Sequence, residues 1–350
     1  MNQKGLQRIN PSSIKKILLI RLRRAGDVIM TTPAITALRT SFPKAYIAYI
    51  VEEPYRELVE GNPNLDRVTV LPRNLSTSAF IRFIRKIRKE KYDAVLDFHG
   101  GPTASLMTLF SKAKLKVGYK IKYKNFIFHT KLPRSFPTGT IHSVESHLNL
   151  VKALGVNVSS SPPLCLPQTQ KAEEEKVKKF LEENEFEGRK SVILHISAGN
   201  EFRNWGLENL VEFINLLSEL PEVKIVLIGA EEDQKAEREI LEKSTTSPLS
   251  LVGRLNLREL RELISRSSLF VGPDSGPMHV AASTSTPIVT YFGPTLPAHF
   301  APWQVDASII EKDLDCRPCK QRQCIYDDFR CLRSIRPEEV YKACLRFIQN

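Results

Sequence analysis

Short apolar runs of strand length alternate with segments whose apolar residues recur at helical spacing along the whole chain of 350 residues. In the first half, residues 17–22, 46–51, 67–71 and 94–98 read as strands, and residues 28–40 and 79–90 as helices. In the second half the strand candidates are 191–196, 223–228, 250–252, 269–271 and 287–291. Helical patterns at 207–220, 233–243, 257–265 and 278–283 separate them. This alternation predicts βαβ units and parallel sheets, with binding sites at the carboxyl ends of the strands. The Ser159-Ser160-Ser161-Pro162-Pro163 stretch, followed by Pro167, reads as a linker between two α/β domains. We therefore expect one domain over 1–165 and another over 166–350, the last helix being a candidate for packing back on the N-terminal domain. No repeat of solenoid period is present.

Length and composition agree with two globular domains, at 42% hydrophobic and 26% charged residues. The apolar runs are too short for a helical membrane span, and residues 1–13 lack the apolar core of a secretory signal, so a cytoplasmic protein is expected. The net charge of +12 is unevenly distributed. Residues 1–165 hold 27 basic against 10 acidic side chains (net +17), and residues 166–350 hold 24 against 29 (net −5). The densest stretches are Arg82 to Lys91 and Lys112 to Lys124. Such charge attracts polyanions: nucleic acid, anionic lipid headgroups or a phosphorylated glycolipid. Aromatic residues are scarce within these runs and no nucleic-acid-binding motif is present, which argues against nucleic acid. For Arg82 to Lys91 taken alone, a solvated helix face is the preferred reading.

Two strand–turn–helix corners, one in each half, carry the candidate chemistry. In the second half, Gly272-Pro273-Asp274-Ser275-Gly276-Pro277-Met278-His279 follows an apolar run and opens a small-residue helix at Ser275 or Gly276. Backbone N–H groups there suit a phosphate, while Asp274 suits ribose hydroxyls or a simple helix cap. In the first half, Arg23-Arg24-Ala25-Gly26-Asp27 follows the run 17–22 and precedes a helical pattern, placing Asp27 at the tip. A capping carboxylate is again the plain alternative.

Taken together, RAGDVIMTTPAITALR (24–39), HISAGNEFRNWGLENLVEFI (195–214) and VGPDSGPMHVAAS with PIVTYFGPTLP (271–297) resemble glycosyltransferase family 9, the lipopolysaccharide heptosyltransferases. The resemblance runs in order from about Lys16 to about Ala343. It implies an α/β protein of GT-B type, two Rossmann-like domains facing each other across a cleft. It also implies an inverting, cofactor-free transfer of heptose from ADP-heptose to the lipopolysaccharide inner core. The acceptor would be a lipid-linked glycan, with the basic half on the anionic inner-membrane surface, on its cytoplasmic side.

On this resemblance Asp27 is the general base, deprotonating the acceptor hydroxyl. The family places a lysine two residues before a tryptophan to neutralise the leaving diphosphate; this chain departs from it with Arg203 in Arg203-Asn204-Trp205. Arginine is permanently charged and phosphate-competent, so the role survives the change. Ser197 and Gly199, after the strand at 191–196, are expected at the donor, and Glu231, after the strand at 223–228, at its ribose hydroxyls. Asp274, Ser275 and Gly276 would hold the diphosphate and sugar, with His279 one turn into the helix. Arg23 and Arg24 are candidates for acceptor phosphates or carboxylates, and His99, in Asp97-Phe98-His99-Gly100-Gly101, for a further acceptor contact. Trp205 is expected to pack beneath its loop.

Cys316, Cys319, Cys324 and Cys331 form a C-x2-C-x4-C-x6-C set whose spacing would suit zinc or an iron–sulfur cluster. Such a tail recurs among heptosyltransferase relatives without any metal being required, so none is expected. Asp313-Leu314-Asp315 has the form of a metal-binding DxD but follows no strand turn. Two other functions remain open at this level: transfer of a different nucleotide sugar to another glycan, or non-enzymatic binding of a polyanion.

Overall fold

The computed structural model describes residues 13–123, 126–134 and 140–349. The start of the polar N-terminal stretch (1–12) and Lys124, at the end of the second basic run, lie outside the described residues. The chain divides into two compact units, Met1–Gln168 and Thr169–Asn350.

The first unit is a parallel sheet of β1 (Lys16–Ile20), β2 (Tyr46–Glu52), β3 (Arg67–Leu71), β4 (Ala94–Asp97), β5 (Leu115–Tyr119) and β6 (Thr130–Leu132). Its spatial order is β3-β2-β1-β4-β5-β6. Strands β1, β2 and β4 are buried on both faces, which is why their sequences are nearly unbroken apolar runs rather than alternating ones. Register pairs Leu18 with Ala48 on one side and with Val95 on the other. Helices Thr77–Lys89 and Pro102–Phe110 cover one face, where Ile87, Ala104 and Met107 join Leu18, Ile20 and Val95 in a common core.

The second unit repeats this plan with β7 (Lys190–His195), β8 (Val223–Ile228), β9 (Leu249–Ser250), β10 (Leu269–Pro273), β11 (Ile288–Phe292) and β12 (Ala307–Glu311). All are parallel, in the order β12-β11-β10-β7-β8-β9. Helix Leu207–Ser218 buries Leu210, Phe213, Ile214 and Leu217, an i, i+3, i+4, i+7 stripe, against this sheet. The last helix, Pro337–Ile348, packs beside it and contributes Val340, Cys344 and Ile348 to the core of the second unit.

Each sheet grows outward from its first strand in both directions. The reversals fall between β1 and β4 and between β7 and β10. In open α/β sheets the crevice beyond such a reversal is where ligands bind.

Several boundaries differ from the sequence reading. The helix expected over 28–40 is two helices, Ala25–Ile29 and Thr32–Ser41, because the chain turns at Met30–Thr31 and Pro33 lies in the first turn of the second. Asp27 therefore lies inside a helical first turn rather than ahead of it. Strand β1 ends at Ile20, leaving Arg21 and Leu22 beyond it. Strands β5, β6 and β12 were not expected from the sequence. In β5 the alternation Lys116-Val117-Gly118 hides an apolar face, and Gly118 is required because a Cβ there would lie 2.3 Å from the Phe128 ring.

Candidate functional site

At the β1/β4 reversal, Arg21 follows the last residue of β1 and is buried, with 3% of its side chain exposed. Its Nη1 donates to the Phe98 carbonyl beyond β4 at 2.6 Å, and its Nη2 lies 2.5 Å from Asp27 Oδ2. The Arg24 N–H donates to the same oxygen at 3.3 Å. Asp27 is one-third exposed. Burial alone would raise its pKa, but the Arg21 charge and hydrogen bond and the Arg24 N–H outweigh it, and the carboxyl is held below its ordinary value. The group is thus ionised, open to solvent and oriented, as proton abstraction requires.

Asp97, at the end of β4, is fully buried. Its Oδ1 accepts the N–H groups of His99 and Gly100 at 2.9 and 2.7 Å, and Oδ2 is buried without a hydrogen-bond partner. Burial pushes this carboxyl up to about 6 against those two N–H donors. Burial and the charges of Arg21 and Arg23 push His99 down to about 4, so it meets a ligand as a neutral imidazole. Arg23 and Arg24 are both exposed, Arg23 lying 3.9 Å from Glu52. Behind them Tyr119 of β5 and His147 share a hydrogen bond of 2.7 Å, and Arg134 lies over the Tyr119 ring at 5.6 Å.

The β7/β10 reversal builds the second cluster. Gly272 lets β10 approach β7 closely; a Cβ there would lie 2.8 Å from His195 Cβ. Immediately beyond, the Asp274 carboxylate is buried, its Oδ2 accepting from Thr295 at 2.6 Å and lying 3.3 Å from Arg203 Nη1. Arg203 also donates from Nη1 to the Asp274 carbonyl at 3.2 Å and from Nε to Gln321 at 3.0 Å. His279 is buried with Nε2 3.9 Å from Asp274 Oδ1. Ser275 caps the helix Gly276–Ala281, accepting the Met278 N–H, and contacts His195 Nδ1 at 3.1 Å. Burial pushes His195 down to about 3, so it is neutral there.

The structure therefore brings Arg203, Asp274, Ser275, Gly276 and His279 to one place. The loop after β7 joins them through Asn200, which shares the Gln321 side-chain oxygen with Arg203. Its own amides are used internally: Ala198 N–H bonds Asn204 and Gly199 N–H bonds the Ser197 hydroxyl. Ser197 is buried, so the exposed part of this loop begins beyond it. Glu231 is exposed at the end of β8, two strands from β10 along the same sheet edge. Trp205 is buried, donates to the Ile335 carbonyl at 2.8 Å and packs on Tyr291 at 4.8 Å.

Sequence reasoning did not single out Arg21, Asp97, Tyr119, Arg134, His195, Thr295 or Gln321. Arg21 did carry a signal, as a cation within an apolar strand-like run. The other six become neighbours only through the strand order. Among the described residues no group of three or more His, Cys, Asp or Glu is placed to hold a metal ion, Cys316, Cys319, Cys324 and Cys331 included. All six cysteines are free thiols. Cys331 is pushed up to about 11 by burial and the neighbouring cysteines, whereas backbone N–H groups, Tyr326 foremost, lower Cys324.

Two Rossmann-like units in sequence, one with an ionised carboxylate beyond its first strand and the other with an arginine beyond its first strand, match a glycosyltransferase of the GT-B fold. The family model for glycosyltransferase family 9 (heptosyltransferase) matches residues 80–329, and the chain belongs to that family. The lipopolysaccharide core heptosyltransferase OpsX of Haemophilus influenzae is 24% identical over 298 residues, 83% of this chain and 82% of the relative. The family 9 glycosyl transferase of Veillonella parvula superposes with a TM-score of 0.83 at 24% identity, covering 96% and 97% of the two chains. The E. coli ADP-heptose lps heptosyltransferase II superposes with a TM-score of 0.76 at 21% identity, covering 95% and 98%. Among the described residues no helix is long and apolar enough to cross a membrane.

Proposed function

We propose that the protein transfers heptose from ADP-heptose to the inner core of lipopolysaccharide, with inversion at the anomeric carbon. The observation that carries this reading is the pairing of chemistries: an ionised, one-third-exposed Asp27 at one strand reversal and Arg203 fixed beside Asp274 at the other. Asp27 takes the proton of the acceptor hydroxyl as its oxygen bonds to the anomeric carbon. The bond from that carbon to the diphosphate breaks, and ADP leaves with the electron pair. Arg203 stabilises the charge developing on the departing diphosphate. Its Nε and Nη1 are engaged by Gln321 and Asp274, and the rest of the five-donor fork serves the phosphates.

Ser275 and Gly276 line the diphosphate at the start of the following helix. Asp274, being a carboxylate, takes sugar hydroxyls and orients Arg203 rather than gripping phosphate. Glu231 takes ribose hydroxyls; exposed Gly199, held by the Ser197 hydroxyl, and His279 complete the donor pocket; and Arg23, Arg24 and neutral His99 meet the acceptor. The net charge of +17 over residues 1–165 supports association with the anionic cytoplasmic face of the inner membrane, where a lipid-linked acceptor resides.

The test is calorimetric titration of ADP-heptose, ADP and UDP into wild type and Asp274→Ala, with EDTA present. Selective binding of the ADP ligands that is lost in the variant is the expected result. Equal binding of UDP, or no nucleotide binding, overturns the donor assignment.

A further inference from the structure

We propose that Arg21 is the positioning residue of the acceptor-side site, fixing the Asp27 carboxylate in the orientation and charge state of a base without itself touching substrate. Its side chain is buried, so it is not presented to an acceptor as Arg23 and Arg24 are. One guanidinium joins the elements that meet at the strand reversal: Nη1 on the Phe98 carbonyl beyond β4, and Nη2 on Asp27 Oδ2 in the helix after β1. A planar fork spans two such acceptors at once, which a single ammonium does not. Both the Arg21 and Arg24 contacts fall on Oδ2, leaving Oδ1 to receive the acceptor proton.

The other titratable groups near Asp27 do not substitute for Arg21. His147, from helix Ser143–Lys152, and His99, beyond β4, are both shifted down by burial foremost and are neutral at neutral pH. Tyr49 of β2 and Tyr119 of β5 are shifted up by burial and stay protonated. Arg134 is exposed and lies over Tyr119. Among the described residues Arg21 is therefore the cation in contact with the Asp27 carboxylate. An arginine in that place lowers an aspartate by about 1 to 3 pH units, and its loss from a half-buried site leaves burial to act alone.

This inference rests on the reading of Asp27 as the base, and the two are tested separately. Protein labelled with 13C at aspartate Cγ is titrated without substrate, the Asp27 resonance being assigned by its loss in Asp27→Asn. In wild type that resonance is expected to stay flat between about pH 4.5 and about pH 8. In Arg21→Gln, which removes the charge but keeps a donor for the Phe98 carbonyl, it should titrate inside that window. Arg21→Lys should keep it flat while lowering turnover, because charge is restored without the fork. Arg21→Met is a second neutral variant should Arg21→Gln fold poorly, folding being checked by thermal unfolding and ADP binding. A resonance that stays flat in the neutral variants overturns the assignment of Arg21. Full turnover by Asp27→Asn overturns the base reading and leaves the titration result standing.

Discussion

Replacing Arg203 tests the donor side quantitatively. Its guanidinium is about three-quarters buried and is fixed by Gln321 at 3.0 Å and by the Asp274 carboxylate at 3.3 Å, so it is preorganised before any ligand arrives. A unit charge about 4.5 Å from a departing phosphate, at an effective dielectric of about 20, contributes about 4 kcal/mol. Part of that is spent on the pre-existing pair with Asp274, so a differential stabilisation of about 3 kcal/mol is the working figure, in line with loss of one preorganised donor. Arg203→Ala should therefore lower kcat by about 10²-fold or somewhat more, with a smaller rise in donor KM. Arg203→Lys keeps the charge but cannot bridge Gln321 and Asp274 together, so its loss should be about ten-fold. The assay is the initial rate of ADP release with ADP-heptose and a heptose-deficient lipopolysaccharide acceptor, alongside urea unfolding to confirm the fold. An alanine variant retaining kcat within about ten-fold of wild type would refute the assignment of Arg203 to the leaving group.

Other substitutions probe the framework around the sites. Trp205→Ala removes a buried indole bonded to Ile335 and should cost about 3 to 5 kcal/mol, read as a lower urea midpoint. Gly272→Ala forces a Cβ to within 2.8 Å of His195 Cβ; the overpacking should cost about 1 to 3 kcal/mol and weaken ADP binding by displacing the partner of Ser275. Thermal unfolding and calorimetry read these two effects. Asp97 holds its proton more tightly folded than unfolded, so its contribution is fully present below the unfolded value near 3.8 and is lost as pH rises through about 6. Wild type should therefore lose about 2 kcal/mol relative to Asp97→Asn between pH 4 and pH 7. Urea midpoints that run parallel for the two proteins across that range would contradict the assignment.

The fold was legible wherever the sheet is covered on both faces. Residues 17–22, 46–51 and 94–98 read as strands, and fall on β1, β2 and β4, because a doubly buried strand is apolar along its length. Edge strand β12, with the half-exposed sequence ASIIE, lacks that signature, and Lys116 of β5 masks its inward residues. Asp27, Asp274 and His279 stood out because strand–turn–helix corners leave a local trace of Gly, Pro and acid, whereas Arg203 stood out only through the resemblance of Arg203-Asn204-Trp205 to the family pattern. Gln321 and Thr295 leave no comparable trace. Gln321 and Arg203 are separated by 118 residues, and only the folded loop joins them. The parting of two nearby carboxylates, Asp27 lowered and Asp97 raised, likewise depends on which one faces Arg21 closely and which is enclosed, and neither is encoded in spacing.

The account centres on Asp27 as the base that activates the acceptor, and single-turnover heptosyl transfer by Asp27→Asn tests it most directly. The expected rate is lower by about 10³-fold, with ADP binding unchanged and a lower urea midpoint, because the buried Arg21 loses its carboxylate partner. Transfer within about ten-fold of wild type, with inversion preserved, would contradict it.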